Sequence, residues 1–258
     1  MIMKNEDCLK GMRDIPSETI DICVTSPPYN LGIAYDIHDD ALNPIEYLSW
    51  LKEVFTEVKR ILKPQGHLWI NVGYSNKNPW VGMDVAQTVR SLMVLQNQFI
   101  WVKSIAIDGI QTGHYKPINS QRYANPTWEH LFHFTKTGDV VCDREAVGVP
   151  YTDKSNLFRR HHQTDLHCSG NVWFIPYSTI ASKKEKGNHP AIFPIELVER
   201  CIKFSGIKQG VLLDPFMGSG TSAIASLRQQ LDFIGFELSK DYFSFANQRI
   251  NEEITIVF

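Results

Sequence analysis

Gly210-Val-Leu-Leu-Asp-Pro-Phe-Met-Gly-Ser-Gly-Thr221 reads as a short apolar strand, a glycine loop and the start of a helix. That order is the geometry by which a sheet receives a nucleotide-like ligand at its carboxyl edge. Gly218 and Gly220 let backbone approach a ligand closely, and amides at the helix start can meet a carboxylate. The loop lacks both the Gly-x-Gly-x-x-Gly pattern and a Gly-Lys-Ser/Thr ending, which argues against dinucleotide and triphosphate sites. Twenty-three residues after Asp214, Glu237 closes the next strand candidate, Leu231–Phe236. A carboxylate there can accept both hydroxyls of a ribose.

Upstream, Ile20–Thr25 is a β-rich run stopped by Ser26-Pro-Pro-Tyr29. Helical periodicity follows from Pro44 to Leu62, with Asn43 as cap, and Lys63–Gly66 is expected to end that helix. A strand at His67–Gly73, a helix at Gly82–Leu92 and a strand at Val94–Val102 complete a β-α-β-α-β series. After Lys103 the rhythm breaks. Glu129–Thr135 reads as a strand that can still join the sheet, and Asn171–Ile175 as a strand candidate within an insertion or small lobe. The rhythm resumes with a helix at Pro194–Phe204, the glycine loop, a helix from Thr221 and a last full helix at Lys240–Ile250. The expected division is 1–103, 104–188 and 189–258.

The two prolines of Ser-Pro-Pro-Tyr lock their own φ angles, and Pro28 further restricts Pro27, so nearby carbonyls are rigidly aimed. An aromatic amine is a poor nucleophile because its lone pair is delocalised into the ring. Two acceptors on its N–H groups favour a tetrahedral nitrogen, and the Ser26 hydroxyl and Pro27 carbonyl are candidates. The Tyr29 ring can stack on the base that bears the amine. Asp7, near the amino terminus, reads equally well as a surface turn or as an acceptor for an adenine amino group.

The chain has 258 residues, is 43% hydrophobic and 21% charged, and carries a net charge of −2, which fits a globular protein. No apolar run reaches membrane-spanning length and no signal peptide is evident, so a cytoplasmic protein without a membrane partner is expected. Five scattered cysteines lack zinc-site spacing, and no metal is expected. Residues 103–189 hold eleven Lys or Arg against eight Asp or Glu, and seven of the nine histidines. Lys116, Arg122, Lys154, Arg159, Arg160, His161, Lys183 and Lys184 are candidates for DNA phosphate or base contacts. A plain solvated surface would have the same composition.

Thr25-Ser-Pro-Pro-Tyr-Asn30 and Asp214–Thr221 together resemble the motifs of the amino-group DNA methyltransferases, with the catalytic motif first, as in the beta group. The resemblance implies a Rossmann-like methyltransferase α/β fold, circularly permuted: a mostly parallel sheet, helices on both faces and an inserted target-recognition region. It implies S-adenosyl-L-methionine as cofactor and S-adenosyl-L-homocysteine as product. It assigns Ser26, Pro27, Pro28 and Tyr29 to catalysis. It assigns Asp7, Cys8, Thr25, His189, Pro190, Phe193, Asp214, Pro215, Phe216, Gly218, Ser219, Gly220, Thr221, Glu237 and Leu238 to the cofactor. The implied partner is double-stranded DNA with a short specific site, its target base flipped out of the helix. A separately acting restriction endonuclease and a homodimer are compatible with that reading. Ser26 favours N4 of cytosine, since Ser-Pro-Pro-Tyr is common among the N4-cytosine enzymes; N6 of adenine stays open. More distant alternatives are an RNA or protein-glutamine methyltransferase and a non-catalytic DNA-binding regulator on the same fold.

Overall fold

The computed structural model describes residues 1–30, 42–113, 117–154, 164–176 and 193–257. In chain order the elements are β1 (Ile2–Lys4), α1 (Cys8–Arg13), β2 (Ile20–Thr25), α2 (Pro44–Ile61), β3 (Leu62–Val72) and α3 (Val81–Arg90). There follow β4 (Val94–Val102), β5 (Ser104–Ile107), β6 (Ile110–Gly113), β7 (Trp128–Thr135), β8 (Val149–Pro150), β9 (Leu166–His167) and β10 (Val172–Phe174). The chain closes with α4 (Ile195–Phe204), β11 (Val211–Asp214), α5 (Thr221–Arg228), β12 (Asp232–Phe236) and α6 (Lys240–Val257).

Eight strands form one sheet in the order β1-β12-β11-β2-β3-β7-β4-β10. Among the described residues, only the two pairings made by β7 are antiparallel in this sheet, so it is mixed but mostly parallel. Strand alternation divides the core in two. Cys23, Leu68, Ile70, Phe132, Phe134 and Leu213 face one side, where α1, α2 and α3 cover them. Ile22, Val24, Trp69, Leu131 and Leu212 face the other, under α4, α5 and α6. Strands buried on both faces read as near-continuous apolar runs, as do Ile22–Val24 of β2 and Val211–Leu213 of β11.

The structure corrects several boundaries. The Lys63–Gly66 segment does not lie between helix and strand: β3 starts at Leu62, directly after α2. Pairing passes from Ile20↔Leu62 to Ile22↔His67, so these four residues bulge out opposite Asp21. Pro64 has no N–H to contribute to a ladder, and Lys63 Nζ meets Asp21 Oδ1 at 2.7 Å. Helix α6 runs to Val257 instead of ending near Ile250. No glycine or proline interrupts it, and Glu253 binds Arg228 in bidentate fashion at 2.6 and 3.0 Å. β1 and α1 are too short to show a period in the sequence; Asp7 caps α1 by accepting from the Lys10 amide.

The insertion expected at 104–188 is not wholly separate. Besides β7, strand β10 also joins the main sheet, pairing in parallel with β4. Trp173 on β10 is buried against Phe99, Trp69 and Phe204. Outside the sheet stand two small antiparallel pairs, β5 with β6 and β8 with β9.

Helix α1 sits tightly on the sheet at Gly11, where an added Cβ would lie 2.0 Å from the Phe236 ring. That ring is fully buried and cannot retreat into solvent. Gly11→Ala is expected to destabilise the fold by about 1–3 kcal/mol through overpacking, measured as a lower midpoint in urea unfolding.

Candidate active site

Strands β2 and β11 are parallel neighbours, paired at Leu212↔Ile22 and Leu213↔Cys23. Their carboxyl ends bring Thr25-Ser26 beside Asp214, although 189 residues separate Thr25 from Asp214. The link is direct. Thr25 Oγ1 donates to Asp214 Oδ1 at 2.7 Å, and Phe216 N donates to the same oxygen at 3.0 Å. Ser222 Oγ donates to Oδ2 at 2.5 Å. Asp214 is fully buried. Burial pushes its carboxyl up to about 6, opposed by the hydrogen bonds from Ser222, Thr25 and Phe216. Asp214 and Thr25 therefore act as an internal strut that shapes the loop, and both Asp214 oxygens already have protein partners.

The glycine loop turns through left-handed backbone at Gly218 (φ 53°) and Gly220 (φ 79°). At Gly220 a side chain would also crowd Ala246 at 3.0 Å. Glu237 leaves the end of β12 partly exposed. Its Oε2 accepts from Gly218 N and its Oε1 from Ser239 N, each at 2.8 Å. Each oxygen keeps a lone pair, so the carboxylate is held in place with acceptor capacity to spare. Burial raises its pKa, while the Ser239 and Gly218 amides lower it. Those spare acceptor positions fit the two hydroxyls of a ribose. Phe216 meets Trp50 of α2 at 5.4 Å between ring centroids, an aromatic wall between the loop and the catalytic half.

In the Ser-Pro-Pro-Tyr segment, Tyr47 Oη of α2 donates to the Pro28 carbonyl at 2.6 Å. The carbonyl assigned to the target amine, that of Pro27, is a different one. Ser26 Oγ lies 2.9 Å from Tyr29 Oη. Tyr29 Oη also faces Asn71 Oδ1 at 3.2 Å and Glu129 Oε2 at 3.1 Å. Its ring lies against Gly73, where a Cβ would come within 2.7 Å of Cε2. Asn30 adopts a left-handed turn (φ 53°) and donates to the Leu42 carbonyl at 2.9 Å.

The structure thus brings Ser26, Pro27, Pro28, Tyr29, Thr25, Asp214, Pro215, Phe216, Gly218, Ser219, Gly220, Thr221 and Glu237 to one sheet edge. Leu238 is exposed next to Glu237, and Phe193 packs at the rim of the core. Cys8 is buried, with its thiol pushed up to about 12 by burial and nearby Asp7. His189, Pro190, Lys116, Arg159, Arg160, His161, Lys183 and Lys184 lie outside the described residues. Of the remaining DNA candidates, Arg122 stacks over Tyr123 at 5.4 Å, and Lys154 pairs with Asp165. Sequence reasoning missed Asn5, whose Nδ2 donates to the Glu237 and Leu238 carbonyls at 2.8 and 3.0 Å. It also missed Arg249, which binds the Ser219 carbonyl at 2.6 Å, and the group formed by Asn71, Lys103 and Glu129. A carboxylate at the start of an apolar strand was the only available signal for Glu129.

Away from this edge, donor atoms of His67, His133 and Cys142 lie within 4.8 Å of one another. The sequence suggested no metal group here. His67 Nδ1 and His133 Nε2 are 2.9 Å apart, a hydrogen-bond separation, and Asn97 Nδ2 meets His133 Nδ1 at 3.0 Å. Burial lowers these histidines to about 4 and 3, so the pair is neutral at pH 7. Among the described residues, no helix is long and apolar enough to cross a membrane.

Comparison with known proteins accords with this geometry. Residues 20–248 match a family model described as DNA methylase (N6_N4_Mtase). The chain is 27% identical over 268 residues to the type II methyltransferase M.ScaI of Streptomyces caespitosus, covering all of this chain and 84% of that protein. It is 27% identical over 255 residues to the DNA adenine methyltransferase YhdJ of Escherichia coli, covering 95% and 81%. Its fold is similar to that of the PvuII cytosine-N4-specific DNA methyltransferase, with a TM-score of 0.72, 19% identity and coverage of 99% and 91%. It is also similar to TTHA0409, a putative DNA modification methylase of Thermus thermophilus complexed with S-adenosyl-L-methionine, with a TM-score of 0.66, 23% identity and coverage of 98% and 94%.

Because Asp214 has a raised pKa when folded, its contribution to stability is full below about pH 4 and lost as pH rises through about 6. Asp214→Asn has no such titration. The stability of the native protein relative to Asp214→Asn should therefore fall between about pH 4 and 6 and level off above, as followed by thermal unfolding at several pH values.

Proposed function

The chain belongs to the DNA methylase family, and from that premise we propose that it methylates N4 of cytosine in duplex DNA, using S-adenosyl-L-methionine. The observation that carries the reading is the junction of Ser-Pro-Pro-Tyr with the glycine loop through Thr25 and Asp214. When bound, the cofactor supplies an electrophilic methyl group on a sulfonium. Glu237 would hold its ribose, with Gly218 and Gly220 allowing close backbone approach. Asp214, Thr25 and Arg249 keep that loop in shape, and Asn5 holds the backbone at Glu237 and Leu238. His189, Pro190 and Phe193 are proposed to flank its methionine end.

Ser26 Oγ and the Pro27 carbonyl would accept the two amino hydrogens, which favours a tetrahedral nucleophilic nitrogen. The Tyr29 ring would stack on the flipped base and align its amine with the methyl. No covalent enzyme nucleophile is required. The motif order fits a circularly permuted, beta-group topology, and residues 104–188 would supply target recognition. Arg122 and Lys154 would contribute phosphate contacts there.

Ser26 is the observation that favours cytosine. Adenine N6 is the second reading, supported by the 27% identity to a DNA adenine methyltransferase. Incubation with labelled cofactor and mixed duplex DNA, digestion to nucleosides and mass spectrometry should give N4-methylcytosine. N6-methyladenine would establish the second reading, and cofactor binding without any methylated nucleoside would favour a non-catalytic regulator. Tyr29→Ala should bind cofactor normally yet lose most methyl transfer; normal transfer would defeat the stacking role. Glu237→Ala should weaken cofactor affinity by about tenfold or more, as expected for loss of a charge-assisted hydrogen-bond acceptor, read by isothermal titration.

A further inference from the structure

The hydroxyl of Tyr29 carries one proton and faces two acceptors. Glu129 Oε2 is 3.1 Å away and Asn71 Oδ1 is 3.2 Å away. The orientation of the Asn71 amide is set independently, because its Nδ2 donates to the His130 carbonyl at 3.1 Å. Its oxygen therefore points at Tyr29. With the Tyr29 proton directed to these acceptors, the 2.9 Å contact with Ser26 must run the other way, Ser26 Oγ donating to Tyr29 Oη. The lone pairs of Ser26 Oγ are then turned outward, ready to accept an N–H. The far oxygen of Glu129, Oε1, is held by Lys103 Nζ at 2.8 Å. Lys103 and Glu129 retain 17% and 14% side-chain exposure, enough to exchange protons with solvent.

We propose that Glu129, braced by Lys103, is the terminal acceptor of a proton relay that runs from the target amine through Ser26 and Tyr29. The inference rests on the methyl-transfer reading above. As the amine nitrogen bonds to the methyl carbon, the carbon–sulfur bond breaks and its electron pair stays on sulfur. The nitrogen is left cationic with one proton in excess. Ser26 Oγ takes that proton, and the N–H bonding pair returns to nitrogen as a lone pair. Ser26 passes its own proton to Tyr29 Oη, and Tyr29 passes its own to Glu129 Oε2. Both hydroxyls end as they began, and the Glu129 carboxyl releases the proton to water. Glu129 is thus a positioning residue for the hydrogen-bond directions at Ser26 and a sink for the proton. Among the described residues, the titratable groups against its carboxylate are Lys103, Tyr29 and His130. Burial lowers the pKa of His130, and the Glu129 charge raises it.

The test is single-turnover transfer from labelled S-adenosyl-L-methionine to duplex DNA across a pH series, with cofactor affinity measured in parallel. The native rate should fall as the solution is acidified. Glu129→Gln and Tyr29→Phe should each slow transfer by about a hundredfold, the usual scale of a lost proton-transfer group. Both should lose that pH dependence and keep native cofactor affinity. Their double variant should be no slower than Tyr29→Phe alone, since both break one chain. Glu129→Asp should recover part of the rate. Native rates and an unchanged pH profile in both single variants would overturn the relay, as would losses that multiply in the double variant. If Glu129→Gln fails to fold by circular dichroism, Tyr29→Phe, which keeps the ring, decides the matter alone. Absence of any methylated base from the native protein would instead overturn the parent reading.

Discussion

A buried carboxylate between two strand ends organises this molecule. Asp214 takes hydrogen bonds from Thr25, Phe216 and Ser222. Each comes from a different part of the site: the strand before Ser-Pro-Pro-Tyr, the glycine loop and the helix behind it. An unpaired carboxylate at such depth would be strongly disfavoured. The three donors make the burial tolerable, and in doing so they hold two distant sequence motifs at one edge. Parallel pairing of β2 and β11 supplies the same register from the backbone side.

The polar groups at this edge divide into two kinds. Asp214, Thr25 and Arg249 have their side-chain partners within the protein and shape the glycine loop, and Asn5 likewise holds the backbone at Glu237 and Leu238. Glu237 and Ser26 are held by one contact per oxygen and keep lone pairs for another partner. Preorganised acceptors of this sort need little rearrangement when a ligand arrives, which is the physical basis for reading them as the working groups. Tyr29 stands between the kinds, its hydroxyl tied into Asn71 and Glu129 and its ring laid against Gly73.

Much of the fold was legible in the chain. The helix at Pro44–Ile61 showed its period, its Asn43 cap and its first-turn proline, and β2, β4, β7, α3, α4, α5, β11 and β12 lie within a few residues of their expected places. The elements that escaped were those whose existence depends on a partner. β1 has three residues and is a strand only because β12 is beside it. β10 was expected as a strand at 171–175, but its place in the main sheet escaped, since that follows only from pairing with β4 and from its own Trp173 packing on Phe99. The bulge at Lys63–Gly66 has no sequence period at all and follows from pairing β3 with β2.

For the site, the sequence by itself determined the chemistry available: a rigid Ser-Pro-Pro-Tyr turn, a glycine loop after a strand and an acid at the next strand end. Residue types and short spacings encode such things, because φ restriction, glycine freedom and strand periodicity are local. Tertiary structure alone decided that Asp214 is a strut with both oxygens engaged, that Arg249 braces the glycine loop and that Asn5 holds the backbone at Glu237 and Leu238. It alone brought Glu129 to Tyr29 across 100 residues, with Lys103 behind it. Hydrogen bonds between distant residues depend on which strands become neighbours and in what register, and no local pattern carries that information.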